Sequence, residues 1–213
     1  TRRSSDLAIK NGEHILDLEE ENCYENPNYT KDSKEVIDAK DKLNSMIDLT
    51  ITYDVGDEKE IVDGSIISNW LNVGEDFEIN FDKEKIKEYV YKLASKYNTF
   101  GGNRDFLTTD GDKIKVSGGN YGWIIDQPKE VDELVKDLKE NKSIEREPIY
   151  SQTAVSRAKN DIGDTYVEIN MTKQHMWFYK NGNLITEGDV VTGNASNNWS
   201  TPVGTYRLNY RER

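Results

Sequence analysis

The chain has 213 residues, enough for one large domain or two small ones. Its 28 Lys and Arg against 40 Asp and Glu leave a net charge of −12 at pH 7 with no basic block, which argues against binding to a nucleic-acid backbone. No stretch reaches the roughly 18 apolar residues of a membrane helix, no signal peptide opens the chain, and no metal cluster, phosphate loop or dinucleotide fingerprint is present, so no metal and no cofactor are expected.

The first residue is Thr1 rather than Met, so the sequence reads as a processed form or a piece of a longer chain. "HILDLEEENCYENPNY" reads as a strand entering a Pro-containing loop. Cys23 is the only cysteine, so an internal disulfide is excluded. Acidic neighbours on both sides of Cys23 would raise its thiol pKa, whereas a catalytic thiolate needs a cationic or His-paired setting. A structural cysteine is the expected reading.

In "DSKEVIDAKDKLNSMI", Val36, Ala39, Leu43 and Met46 recur at steps of three and four, predicting a helix with Asp32 as N-cap and Glu35 three residues on. "LTITYDV" alternates Leu49, Ile51, Tyr53 and Val55, the period of a half-buried strand. After Asp82, the residues Ile86, Tyr89, Val90, Leu93, Ala94 and Tyr97 form a broad helical stripe. "FLTTDGDKIKV" carries Asp110-Gly111 between alternating arms and predicts a hairpin with a type I′ turn. "KEVDELVKDLKEN" predicts a third helix through Val131, Leu134, Val135 and Leu138, and "SIEREPIY" a closing strand.

"SQTAVSRAKNDIGD" has no apolar periodicity and reads as a linker. Beyond it the pattern is β only: "TYVEIN", "HMWFYK" and "NLITEGDVV" are predicted strands, with Asn181-Gly182 as a hairpin turn. Thr201-Pro202-Val203-Gly204 fits a type I turn and "TYRLNY" a following strand. The predicted fold class is α+β. An N-terminal helix and antiparallel-sheet domain occupies 1–150, a linker 151–164, and the start of an all-β domain 165–213, which looks incomplete. A weak echo between "LDLEEENCYENPNYTKDS" and "SIEREPIYSQT" raises the expectation of tandem modules upstream.

"TYVEINMTKQHMWFYKNGNLITEGDVVTGN" followed by "TPVGTY" resembles the opening of the L,D-transpeptidase catalytic domain, the YkuD fold. "IVDGSIISNWL", "VSGGNYGWIID" and "EREPIYSQ" resemble the peptidoglycan-binding domain that precedes it in Gram-positive members. The resemblance implies a cell-wall acyltransferase located outside the cytoplasm and anchored through an upstream segment, with peptidoglycan stem peptides as partners. In the family, a cysteine thiolate attacks the amide after the third residue of a tetrapeptide stem and expels the terminal D-alanine. The thioester then passes to a side-chain amine of a neighbouring stem, giving a 3→3 cross-link. A His-activated thiol divides a hard amide exchange into two easier steps, and backbone N–H groups stabilise the oxyanion.

The family's His and its Ser-His-Gly-Cys signature lie downstream of the TPxG segment, and neither occurs within these 213 residues. No catalytic residue is therefore expected in this chain, and the chain alone is expected to be inactive. His175 reads as an ordinary strand histidine beside Trp177 and Tyr179.

Three aromatic residues are candidates for substrate contact. Tyr121 and Trp123 sit in the glycine-rich "GGNYGWIID", where backbone can approach a ligand and rings can stack on sugars, although packing between helix and sheet is the commoner use of such rings. Trp70 reads as core. Trp199, in the polar "NASNNWS", is the more unusual placement. The alternative to a piece of an L,D-transpeptidase is a non-catalytic peptidoglycan-binding or interaction module. An open strand edge in the second unit also predicts a strand-exchanged homodimer.

Overall fold

The computed structural model describes residues 9–10, 12, 27–158 and 160–209. The strand expected in "HILDLEEENCYENPNY", together with Cys23, lies outside the described residues apart from 27–29. Helix α1 spans Lys34–Ile47 and buries Ala39 and Met46, with Val36 and Leu43 partly covered on the same stripe. Its N-cap is Ser33, not Asp32. Ser33 holds the extended backbone that a helix entry needs, while Asp32 stays in the preceding turn. The Ser33 hydroxyl accepts the Thr30 N–H at 2.8 Å rather than a helix amide.

Strand β1 (Ile51–Asp54) is the centre of the first sheet. Leu49, Ile51, Tyr53 and Val55 are all buried, as the period-two pattern requires. β1 pairs antiparallel with β2 (Lys59–Val62) and parallel with β8 (Ile144–Arg146). The parallel pair departs from the all-antiparallel expectation because three helices and two hairpins intervene between β1 and β8. A short helix α2 (Gly64–Ile67), capped by Asp63, leads through a 3₁₀ turn (Ser68–Trp70) into the hairpin β3 (Leu71–Val73) and β4 (Ile79–Phe81). Helix α3 (Lys83–Tyr97) follows, with the Asp82 carboxylate accepting the Glu84 and Lys85 amides.

The α3 stripe Ile86, Val90, Leu93, Ala94 and Tyr97 is buried, and Tyr89 packs against the edge of Trp70, itself core, at 5.3 Å between ring centres. Each large apolar side chain so covered contributes about 1.5–3 kcal/mol. Helix α4 (Gln127–Glu140) places Val131, Leu134, Val135 and Leu138 into the same core. Asp126 caps it and Asn141 ends it in the left-handed region.

The hairpin β5 (Arg104–Leu107) and β6 (Lys113–Val116) forms where Asp110-Gly111 predicts it, but its turn is not type I′. Gly111 has φ +90 and Asp110 does not enter the left-handed region, while Thr108 N–H donates to Asp112 O at 2.9 Å. The loop is therefore three residues long, a type I turn followed by a left-handed glycine. β7 (Ile124–Ile125) pairs antiparallel with β9 (Tyr150–Gln152).

The second unit is a meander of β10 (Tyr166–Asn170), β11 (His175–Lys180) and β12 (Asn183–Asp189). Asn181 and Gly182 have φ of 50 and 77, so this turn is type I′ as predicted. "TPVGTYRLNY" departs from expectation. Residues 201–203 form no turn, Gly204 has φ +148, and Thr205 makes an isolated bridge to Gly119 instead of starting a strand beside β12. The partner of this segment comes from the first unit.

Candidate functional site

The glycine-rich loop 118–123 shapes the junction of the two units. Gly118, Gly119 and Gly122 have φ of 87, 90 and 130, a region where side chains are strained. At Gly122 a Cβ would lie 2.5 Å from the Thr99 carbonyl carbon, and at Gly119 it would land on the Thr205 carbonyl oxygen. Thr205 N–H donates to Gly118 O at 3.1 Å, and Thr205 O accepts the Asn120 and Tyr121 amides at 3.1 and 3.2 Å. The Asn120 side-chain oxygen accepts the Arg207 amide at 2.9 Å. The second unit's terminal segment thus lies on backbone of the first.

The loop preceding that segment closes on itself. The Gln174 amide oxygen accepts Thr192 N–H at 2.8 Å, and its NH₂ donates to the Thr192 hydroxyl at 2.6 Å. The Thr201 hydroxyl accepts Gly193 N–H at 2.8 Å, and Asn194 O accepts the Trp199 amide at 3.0 Å. These bonds hold the backbone around Trp199 while leaving the residue 73% exposed.

Tyr121 and Trp123 both face the linker. The Tyr121 hydroxyl donates to Asp161 O at 2.7 Å and accepts Val155 N–H at 2.9 Å, and burial raises its pKa. Trp123 Nε1 donates to Ser156 O at 2.8 Å. The Arg157 guanidinium covers the Trp123 ring at 4.5 Å and the Tyr150 ring at 4.8 Å, while donating to Tyr97 O at 2.8 Å. The faces that could stack on a sugar are thus engaged by the chain's own groups. Trp199 lies apart from them, on the closed loop of the second unit.

Two buried carboxylates complete the junction, and sequence reading singled out neither. Asp161 accepts Arg104 Nε at 2.7 Å and Nη2 at 2.8 Å, and the Thr99 hydroxyl at 3.0 Å. Glu168, on the inner face of β10, accepts the Thr109 amide at 3.0 Å and the Thr109 hydroxyl at 2.7 Å, fixing the tip of the β5–β6 hairpin against the meander. Lys173 meets Asp110 at 2.7 Å beside it. Among the described residues no group of three or more His, Cys, Asp or Glu is placed to hold a metal ion.

His175 stands on the meander with its ring 4.7 Å from Trp177. Its Nδ1 lies 2.8 Å from Asp189 Oδ1 and its Nε2 3.5 Å from Glu187 Oε2. The hydrogen bond to Asp189 raises its pKa above 6.5, more than exposure of the charged ring to a less polar setting lowers it. No thiol of the described residues accompanies it; the arrangement is a half-buried histidine paired with an exposed aspartate.

Two family descriptions match the chain in order. "Putative peptidoglycan binding domain" covers residues 29–145, and "L,D-transpeptidase catalytic domain" covers residues 164–213. The chain belongs to the L,D-transpeptidases that carry this peptidoglycan-binding domain. Two solved structures share the fold. One is the avibactam carbamoyl enzyme of Ldtfm, 30% identical with a TM-score of 0.63, over 79% of this chain and 65% of that one. The other is a cysteine-to-serine mutant of the Enterococcus faecium L,D-transpeptidase, 30% identical with a TM-score of 0.62, over 78% of this chain and 66% of that one. The chain spans about two thirds of the length of these L,D-transpeptidases. No curated protein matches it. No described helix is long and apolar enough to cross a membrane.

Proposed function

We propose that the protein containing this chain is a peptidoglycan L,D-transpeptidase of the Gram-positive cell wall, which forms 3→3 cross-links by cysteine acyl transfer. The observation that carries the reading is the ordered pair of family matches, combined with 30% identity across most of the chain to two L,D-transpeptidases. The acyl donor and acceptor are stem peptides, and the enzyme works outside the cytoplasm, anchored through an upstream segment. The nucleophile and its His belong to a part of the catalytic domain beyond these residues, because Cys23, the one thiol here, precedes the peptidoglycan-binding domain. By this reading the 213 residues alone perform no acyl transfer.

Of the three aromatic candidates, we assign substrate contact to Trp199, which is mostly exposed and whose indole has no hydrogen-bond partner among the described residues. Tyr121 and Trp123 serve the junction instead. The outer edge of β12 has no strand partner among the described residues, which supports strand exchange between two copies of the isolated chain. Light scattering that finds a monomer at all concentrations would count against it.

The test is an intact mass of the full-length protein with and without a carbapenem. One drug adduct, retained on the peptide that carries a downstream cysteine, supports the reading. An unmodified full-length protein that still sediments with peptidoglycan indicates a binding module instead.

A further inference from the structure

We propose that the glycine loop Gly118–Tyr121 of the peptidoglycan-binding unit is a positioning element of the transpeptidase unit, with Gly119 and Asn120 as its positioning residues. The inference rests on the L,D-transpeptidase reading above and assigns the first unit a part in acyl transfer besides holding the wall polymer.

The argument begins with backbone accounting. An extended segment needs partners for its amides and carbonyls. Among the described residues, the N–H and C=O of Thr205 and the N–H of Arg207 are satisfied by Gly118, Asn120 and Tyr121, all from the other unit, and by no strand of the meander. Backbone of two segments comes this close only because Gly119 lacks a Cβ and Gly204 turns its own open side to Gly118. The path of the chain as it leaves the Trp199 loop is therefore written in the first unit.

A template must itself be fixed. The Arg104–Asp161 pair, the Trp123 bond to Ser156 and the Glu168–Thr109 contacts clamp the linker and the hairpin tip on either side of the loop. Gly101 N–H donates to Tyr121 O and Gly101 O accepts Gly118 N–H, both at 3.0 Å, so the loop is also tied to its own unit. These contacts give the Thr201–Arg207 segment one position relative to the meander.

The experiment uses the full-length protein and the carbapenem acylation time course. Gly119→Ala displaces Thr205 and is expected to slow the maximal acylation rate by roughly 10- to 100-fold, the penalty of misplacing a reacting framework by about 1 Å, with half-saturation nearly unchanged. Asn120→Ala removes one acceptor and is expected to speed exchange of the Arg207 amide by about three- to tenfold, and Asn120→Asp, which keeps the acceptor oxygen, to restore it. A folded Gly119→Ala protein that acylates at the wild-type rate overturns the proposal, as does unchanged Arg207 exchange in Asn120→Ala. If Gly119→Ala does not fold, the acylation time course of the Asn120 pair decides instead: slower acylation in Asn120→Ala that Asn120→Asp restores supports the proposal, and a wild-type rate in both overturns it. Should the wild-type protein take no drug, the transpeptidase reading fails, while the amide exchange still reports whether the loop holds the segment.

Discussion

Arg104 and Asp161 meet fork to fork, 57 residues apart, with bonds of 2.7 and 2.8 Å and with both side chains more than nine-tenths buried. The pair converts a stretch without periodicity into a fixed strap. Asp161 belongs to the linker, yet its carboxylate is held by Arg104 on β5 and Thr99 after α3, and its backbone carbonyl by Tyr121. Arg104 in turn spends its remaining N–H groups on the carbonyls of Thr99, Gly102 and Tyr121. Each nitrogen of the guanidinium thus has at least one acceptor, which is the condition for a buried ion pair to be tolerated.

Removing one partner leaves the other charge buried without compensation. Asp161→Ala is expected to cost about 3–5 kcal/mol. The double change of Arg104→Met with Asp161→Leu is expected to recover most of that loss. Urea unfolding of the three proteins measures both, and a single-variant cost below about 1 kcal/mol would mean that water already reaches the pair.

Glu130 carries a second network. It is fully buried on α4 and accepts the Tyr53 hydroxyl at 2.6 Å, Arg146 at 2.7 and 3.1 Å and the Ile149 amide at 2.6 Å. Burial, then the adjacent carboxylate, hold the Tyr53 phenol well above its usual pKa. Arg146 is held above its own usual value despite burial, chiefly by its bond to Glu130, and also pairs with Asp137 at 2.8 Å. Glu130→Ala is expected to destabilise by about 3–5 kcal/mol. Tyr53→Phe, which loses one bond to a charged group, should cost about 1.5–3 kcal/mol. Denaturation that ranks the two variants in the opposite order would refute this division.

Much of the fold was legible because its signals are local. The stripes of α3 and α4, the alternation at β1 and the Asn181-Gly182 turn each arise from residues within a few positions of one another. The Asp110-Gly111 hairpin was placed correctly but mistyped, since dipeptide chemistry permits a left-handed Asp110 without requiring it. The junction was not legible. Arg104 with Asp161, Thr109 with Glu168, and Gly119 with Thr205 have no shared period, and only the assembled fold brings them together. The glycines of "SGGNYGW" were the one trace of it, read as room for a ligand, whereas at Gly119 the room is filled by the protein's own backbone.

Glu60 gives an acid-side prediction. It accepts Lys96 Nζ and the Tyr97 hydroxyl, both at 2.8 Å, and the Lys96 bond is the main cause that lowers its pKa below 4.5. A lowered value means the ionised form is favoured by folding. The contribution is present above about pH 4.5 and is lost as pH falls through the folded value. Lys96 is largely exposed, so Glu60→Gln should remove less than about 1 kcal/mol at pH 7 and flatten the acid limb of the stability curve. Thermal midpoints between pH 3 and 7, compared with the unaltered chain, test it; parallel curves would assign the acid limb to other carboxylates.

His175 titrates in the other direction. Asp189 first, then Glu187, favour its protonated form, and the pKa is raised from 6.5. Folding therefore binds that proton more tightly than the unfolded chain does. The resulting stability is fully present below the unfolded value and fades as pH rises through the folded one. Asp189→Asn keeps a hydrogen-bonding oxygen but removes the charge, so the imidazole should titrate closer to 6.5. Proton NMR of the His175 ring against pH measures this directly. The same titration midpoint in Asp189→Asn as in the parent would show that Asp189 does not act on the ring in solution, and the pH dependence of the meander would then have to come from Glu187.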